Sequence, residues 1–371
     1  MQLKLPVYAK AVVICVGFYY FISMLNIGQE LLLPLVFGAI IAILLHPLVA
    51  LFEKWKFNRV LAICITLLLS IIVIAACGLF LYSQLGKFSE SWPVFVDRFT
   101  GLINQTIRKI PDISGISADK VNSWIAESKL KFLDNSSSVI GHTLVSVGNS
   151  LVVVFLVPVY VFLLLLYKPL LLDFIHRIFK TQPREKVAAI VSETKSVVQH
   201  YLVGLVIETV LVAILNSAGL LLLGIEYAIL IGITGALLNL IPYIGGLVAV
   251  AIPVMVALVT KDSPWFFLYV IGVYYTVQLI DNNYIVPRIV ASKVRINALV
   301  SIVVVLAGGA LWGVGGMFLS IPLIAIVKVI CDHVESLQAI GFLLGDTRVG
   351  NTLLTIKRAK SHGTTGNEAG S

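Results

Sequence analysis

The sequence predicts an all-α integral membrane protein, built as a polytopic helical bundle. Of its 371 residues, 59% are hydrophobic and only 12% are charged, and the mean hydropathy is +1.00. A soluble globular domain carries about 25% charged residues. The apolar residues fall into runs near the roughly 20 residues that cross a bilayer as a helix. The formal net charge of +8 fits the Lys and Arg excess of cytoplasmic loops rather than a nucleic-acid surface.

Three apolar runs predict a group of N-terminal membrane helices in residues 1–82. They cover about 11–25, 31–52 and 60–82, and the basic loop 53–59 separates the second run from the third. Lysines precede the first run, as in a signal peptide, but no small-residue cleavage site follows it. We therefore expect this run to remain as an anchor helix.

Residues 83–143 carry charges of both signs, with apolar residues at helical spacing. We interpret this segment as a small extracytoplasmic helical domain that caps the bundle, with a binding lid as the alternative. Residues 144–200 then predict a membrane helix to about Tyr167 and an amphipathic helix that begins near Pro183. The amphipathic helix either lies at the cytoplasmic surface or docks on the bundle, because both arrangements need one apolar face.

Residues 201–335 are predicted to form the core transport helices. An apolar run at 202–223 and an aromatic-rich run at 265–286 have spanning length. Two further stretches, 227–259 and 297–329, each divide into apolar runs of about 14 to 17 residues, which are short for a span. The sequence thus predicts six full spans and two interrupted pairs, which either cross the membrane or are re-entrant. The Lys and Arg bias of the short loops then places both termini and the tail 336–371 in the cytoplasm.

Each interrupted stretch contains a glycine pair followed by Ile-Pro. The pairs are Gly245-Gly246 and Gly315-Gly316. Breaks at membrane depth leave backbone groups that lipid cannot pair, so they persist only against protein or a wet cavity. Matching breaks are typical of transporter binding sites, and we expect the two to line one shared pathway. Close helix packing through small residues is the alternative.

The chemistry of the sequence argues against an enzyme. It contains no HExxH, no nucleophile elbow, no P-loop and no CxxC, and its four cysteines lack metal-ligand spacing, so neither a metal nor another cofactor is expected. Transport would therefore be secondary or passive.

Ionisable groups inside apolar runs are costly and are candidates for function. Glu208 lies within the fifth run, and Asn216 follows eight residues later on roughly the same side. Asp281 belongs to a polar stripe at helical spacing, with pairing to Arg288 at the interface as its structural alternative. The stripe consists of Tyr274, Gln278, Asp281 and Asn282.

Three runs resemble the autoinducer-2 exporter family, also called the AI-2E or PerM-like permeases. They are GITGALLNLIPYIGG (232–246), DNNYIVPRIVASKVRINAL (281–299) and GGALWGVGGMFLSIPL (308–323). The first two motifs add Asn239, Pro242, Tyr243 and Pro287 to the candidate pathway. Where the family commonly has His-Pro, this chain has Asn297-Ala298.

The resemblance implies a secondary transporter or facilitator of the bacterial inner membrane that exports a small polar metabolite such as autoinducer-2, a quorum-sensing signal. A sodium/proton antiporter and a non-transporting membrane scaffold are the alternatives. The implied partners are a small polar solute, Na⁺ or H⁺, the lipid bilayer and further copies in a homo-oligomer, with no nucleic acid.

The charge bias generates a topological prediction. Cysteines introduced at residues 83–141 should react with an impermeant reagent added from outside, whereas cysteines introduced near Lys186 or Lys293 should not. Labelling of intact cells measures this directly, and the reverse pattern would overturn the orientation.

Overall fold

A computed structural model describes residues 6–109, 155–179, 183–241, 245–261, 263, 265–290 and 296–345. The all-α prediction is confirmed for these residues, whose only extended pairing is an isolated bridge between Ile296 and Gly345. Five of the described helices are long and apolar enough to cross a membrane, or six if the bent pair formed by α4 and α5 counts as one span. The α-helices are α1 (Val7–Ile27), α2 (Gln29–Lys54), α3 (Arg59–Lys109), α4 (Phe155–Leu166), α5 (Lys168–Ile178), α6 (Arg184–Leu222), α7 (Ala228–Asn239), α8 (Gly245–Thr260), α9 (Phe266–Ile280), α10 (Ala298–His333) and α11 (Gln338–Leu344).

The helix α3 continues past the predicted end of the third span at residue 82 to Lys109. This extension packs on the bundle. Phe88 and Phe95 stack with ring centroids 5.6 Å apart, and the ring of Phe88 meets that of Tyr227 edge-on at 5.4 Å. The described part of the predicted extracytoplasmic domain thus contacts the bundle as a cap would, and residues 110–143 lie outside the described part of the chain.

The helix α6 is continuous over 39 residues, so the predicted amphipathic helix and the fifth apolar run form one element. Pro183 precedes its first residue, as expected for a helix start. The amphipathic half docks on the protein: Val197 is buried in a cluster with Ala325 and Val329 of α10. Docking is therefore the alternative that the structure supports for this half.

The helix α6 runs antiparallel to α9 and to the π-helical segment that follows α9, Asp281–Val290. Close contacts at both ends define this pairing. A Cβ at Gly204 would lie 2.7 Å from the carbonyl oxygen of Ile289, and a Cβ at Gly219 would overlap the side chain of Val273. Small residues thus let α6 approach its neighbours at backbone distance.

Both interrupted stretches form helical hairpins. The first consists of α7 and α8, and the second is α10, whose two halves meet at Trp312 (φ −133°, ψ 22°) and Gly313 (φ 60°, ψ −144°). The hydroxyl of Ser320 donates to the carbonyl of Val304 across the second hairpin at 2.9 Å.

The turn of the second hairpin lies three residues before the predicted break at Gly315-Gly316. Gly313 supplies the positive φ, which glycine adopts at least cost. Gly316 is helical, and a Cβ there would overlap the carbonyl oxygen of Gly308 on the opposite half. Gly316 therefore serves close packing within the hairpin, and neither glycine of the pair forms its turn.

The tip of the second hairpin is tied to the N-terminal helices. The indole Nε1 of Trp312 donates to the carbonyl oxygen of Leu25 near the end of α1, at 3.1 Å. A Cβ at Gly315 would lie 3.4 Å from both Leu33 and Phe37 of α2. The hydrogen bond satisfies a carbonyl near a helix end, where intrahelical partners run out.

The hairpin contact predicts that Gly316→Ala will lower the free energy of unfolding by about 1–3 kcal/mol, because the added methyl group meets backbone that cannot rotate away. Thermal unfolding in detergent measures the effect. Gly272→Ala is the matched control, since nothing lies within 4 Å of a Cβ at that helical glycine. Equal stability of the two variants would contradict the packing role of Gly316.

Candidate functional site

The candidate site surrounds a small apolar cluster where α6, α7, α9 and the π-helical segment meet. The cluster contains the buried side chains of Val212, Ala236, Val277 and Ile285, one from each element. Since helical residues three or four apart share a face, polar residues about one turn from these side chains also point into the bundle. They form two layers, one on each side of the cluster.

The first layer, here called the carboxylate layer, consists of Glu208, Asn239 and Asp281. The amide Nδ2 of Asn239 donates to Oδ2 of Asp281 at 3.1 Å, joining α7 to the π-helical segment. The carboxyl group of Glu208 interacts electrostatically with Asp281. Only 8% of Glu208 and 2% of Asp281 are exposed. Two candidate carboxyl groups far apart in sequence are thus brought together inside the bundle.

Basic side chains do not neutralise this layer. Among the described residues, no Lys or Arg forms an ion pair with Glu208 or Asp281. The guanidinium of Arg288 lies over the ring of Tyr284 instead, 5.5 Å from its centroid. The structure therefore does not pair Asp281 with Arg288, the alternative left open by the sequence. Unpaired carboxyl groups of this kind are chemically suited to bind a cation, a proton or the hydroxyl groups of a solute.

The first hairpin approaches the carboxylate layer closely at Gly246. Gly246 lies at the start of α8, and a Cβ there would be 2.9 Å from Oε1 of Gln278 and 3.4 Å from Oδ1 of Asn239. The amide of Gln278 in turn donates to Oδ1 of the exposed Asn282 at 3.3 Å. Gly246 thus borders the polar side chains, whereas Gly245 packs against the backbone of Leu238 in its own hairpin.

The second layer, here called the phenol layer, consists of Asn216 and Tyr274. Asn216 is 3% exposed and Tyr274 is 6% exposed. The phenol of Tyr274 lies against Gly235 of α7, 3.0 Å from where a Cβ would be. Asn216 follows Glu208 by eight residues, so the two layers are about 12 Å apart along α6.

Both layers contain buried polar atoms without a hydrogen-bond partner. These are Oδ1 of Asp281, Oδ1 of Asn216 and the hydroxyl of Tyr274, and among the described residues only Nδ1 of His176 shares this state. Burying an unpaired polar atom costs about 1–3 kcal/mol. Apolar side chains would pack the same space at lower cost, so the arrangement is suited to binding a partner, either water or a polar solute.

The backbone at this site is unusual as well. The π-helical segment begins at Asp281 itself and extends for 10 residues. Such i→i+5 bonding is rare and concentrates at functional sites. Pro287 lies within this segment and is exposed. The amphipathic spacing of the sequence contains no signal that separates a π-helix from an α-helix.

The structure places two glycine candidates apart from the two layers, and two other candidates are not described. Pro242 and Tyr243 fall outside the described residues. The nearest neighbours of Gly315 are side chains of α2, and those of Gly316 belong to the opposite half of its own hairpin. A pathway shared by both hairpins therefore stays a prediction.

One residue of the site was not singled out in the sequence. Tyr201 is 7% exposed, and its phenol interacts electrostatically with Glu208. The seven-residue spacing puts both on one face of α6. This spacing could have linked Tyr201 to Glu208 in the sequence. Tyr201 also fits the apolar face of the amphipathic half, so the spacing alone does not mark it as a site residue.

Comparison with known proteins agrees with the resemblance of the three motifs. A family described as "AI-2E family transporter" matches residues 9–336. The chain is 28% identical over 326 residues to the "AI-2 transport protein TqsA" of Escherichia coli K12, covering 87% of this chain and 91% of that protein. It is 28% identical over 319 residues to the "Putative transport protein YueF" of Bacillus subtilis, covering 81% and 83%. Against the "Putative permease PerM" of Escherichia coli K12, identity is 29% over 165 residues, covering 44% and 46%.

The unpaired phenol predicts an unusual stability profile. Tyr274→Phe removes a buried hydroxyl that donates to nothing in the structure, so the free energy of unfolding should stay constant or rise by about 1–3 kcal/mol. Tyr274→Ala is the comparison, because losing the ring should cost about 3–5 kcal/mol. Thermal unfolding in detergent reports both values. Destabilisation by Tyr274→Phe would show that the hydroxyl has a hydrogen-bond partner, either in the protein or in bound water.

Proposed function

This chain belongs to the AI-2E family of transporters, and from that premise we propose that it is a secondary transporter or facilitator that exports a small polar metabolite across the bacterial inner membrane. Because the family consists of transporters, the chain is a multi-pass membrane transport protein and not an enzyme. The sequence contains no nucleotide-binding motif, which favours movement down a gradient or coupled to one.

The carboxylate layer is the observation that carries this proposal. A hydroxylated solute that leaves water needs donors and acceptors to replace its hydration. Asp281 offers Oδ1 as a free acceptor, and Asn239 holds Oδ2 of the same carboxylate in place. Gln278 adds an amide beside the glycine at the start of α8. Autoinducer-2 is the specific candidate, and it rests on the similarity to the protein named AI-2 transport protein.

The orientation belongs to the same proposal. The Lys and Arg bias of the short loops places both termini in the cytoplasm. The amphipathic half of α6 would then lie on the cytoplasmic side and the extension of α3 on the outside. Export requires that the solute enter from the side of the amphipathic half.

A cation/proton antiporter is the second candidate, and a specific observation favours it. Glu208 and Asp281 interact inside the bundle with no paired Lys or Arg among the described residues. Carboxylate oxygens bind cations and protons alike, so the layer has the chemistry that such exchange requires.

The test is flux into or out of proteoliposomes for Asp281→Asn and Glu208→Gln. We expect each to reduce flux at least about tenfold, because an interaction with a charged group contributes about 1.5–3 kcal/mol and 1.4 kcal/mol corresponds to a factor of ten. Glu226→Gln is the matched control, since it makes the same change at an exposed position. Thermal unfolding of each variant establishes that assembly is normal.

A substrate panel separates the candidates. Flux of autoinducer-2 or small polyols that needs both carboxyl groups supports the metabolite transporter. Cation flux that follows an imposed pH gradient, with no polyol flux, supports the antiporter instead. Wild-type fluxes in both variants would contradict a role for the carboxylate layer. If the wild-type chain itself transports nothing in the panel, the scaffold alternative replaces the proposal.

A further inference from the structure

Four basic side chains converge where α2, α3, α5 and α6 meet. They are His46, Arg59, Lys168 and Lys195, here called the basic cluster. The amine of Lys168 lies 2.6 Å from Nε2 of His46, and the amine of Lys195 lies 3.2 Å from Nδ1 of the same ring. The cluster joins the consecutive helices α2 and α3 to the consecutive helices α5 and α6, and the proposed transport function does not use it.

The hydrogen-bond donors of the basic cluster outnumber its acceptors. A neutral imidazole has one nitrogen that accepts and one that carries a proton, whereas a lysine ammonium only donates. One of the two lysines can therefore donate to His46, and the other faces an N–H group. An acceptor from outside the protein would resolve this mismatch.

The charges do not balance either. Arg59 and Lys195 both act electrostatically on Lys168, and the one acidic group found to do so among the described residues is the exposed Glu53. No Asp or Glu in the described ranges forms an ion pair with the three cations of the cluster. Arg59 donates to the carbonyl oxygen of Leu165 at 2.6 Å, which fixes its guanidinium at the end of α4. Positive charge is thus concentrated and held without a matching anion.

The surroundings of the basic cluster suit a lipid. Lys168 begins α5 directly after the 67° bend between α4 and α5, and His46 precedes the end of α2 by about two turns. Apolar side chains beside these residues face outward: Leu48 is 38% exposed, Tyr167 52% and Leu170 63%. Cations at span ends with exposed apolar side chains next to them match a phosphate headgroup and its acyl chains.

We propose that the basic cluster binds the phosphodiester headgroup of an anionic phospholipid of the phosphatidylglycerol type. Phosphate oxygens accept from Lys168 and Lys195, so each lysine gains an acceptor and His46 retains one of the two contacts. The acyl chains lie along Leu48, Tyr167 and Leu170. The lipid site is independent of the solute pathway. The proposed orientation of the chain places the site in the cytoplasmic leaflet, and only this placement rests on the proposed function.

Native mass spectrometry of the full chain in detergent tests the proposal. Phosphatidylglycerol is titrated against phosphatidylcholine of the same acyl chains, and inorganic phosphate is added in a third arm to separate a lipid from a free anion. We expect retention of phosphatidylglycerol over phosphatidylcholine, with no competition from phosphate at equal concentration. Each of Lys168→Gln and Lys195→Gln should weaken binding about fivefold, and the double variant about 25-fold, as expected for roughly 1 kcal/mol per lysine.

Two control variants keep the outcome decisive. Lys54→Gln removes the same charge at an exposed position on the same side of the bundle and should leave binding unchanged. Lys168→Arg keeps the charge and should retain most of the affinity. Equal binding of the two lipids by the wild-type chain, displacement by inorganic phosphate, or an equal loss in Lys54→Gln would each overturn the proposal. The wild-type comparison decides the matter even if a glutamine variant fails to fold.

Discussion

The arrangement of this bundle depends on the requirement that polar groups inside lipid find their partners within the protein. The hydrogen bond from Asn239 to Asp281 meets part of that requirement. It ties the end of α7, where the first hairpin turns, to the start of the π-helical segment. This contact therefore links the turn of the first hairpin to Asp281 and to the unusual backbone that begins there. What this contact leaves unpaired, chiefly Oδ1 of Asp281, is what makes the place suited to a solute.

The two hairpins look alike in sequence but differ in the contacts that their glycines make. The first carries polar side chains at its turn and presents Gly246 to Gln278 and Asn239. The second places Gly316 against Gly308 and anchors its tip through the indole of Trp312 on α1. Gly246 of the first motif thus faces polar side chains, whereas Gly316 of the second lets two backbones pack closely. This division explains why the same pattern favoured both a pathway and a packing interpretation.

Much of the site could be predicted because ionisable residues in apolar runs are conspicuous. Glu208 and Asp281 are identified in this way and Asn216 by its helical spacing from Glu208, and the structure buries all three. Other features had no such signal. The turn at Trp312-Gly313 depends on which of several glycines takes a positive φ, and spacing does not distinguish them. The sequence does not reveal the continuity of α6, because the change from amphipathic to apolar composition resembles a boundary and Gly204 lies beside it.

Because α6 is one continuous helix, the distance between two of its residues along the helix axis follows from the helix rise. Lys195 and Glu208 lie 13 positions apart on one helix, which corresponds to about 20 Å along its axis. A bilayer with its headgroups is about 40–45 Å thick, so its midplane lies about 20–22 Å below the surface. With the amine of Lys195 at headgroup level and α6 along the membrane normal, the carboxyl group of Glu208 would lie near the midplane. This depth is set by the helix rise together with the tilt of α6 in the membrane.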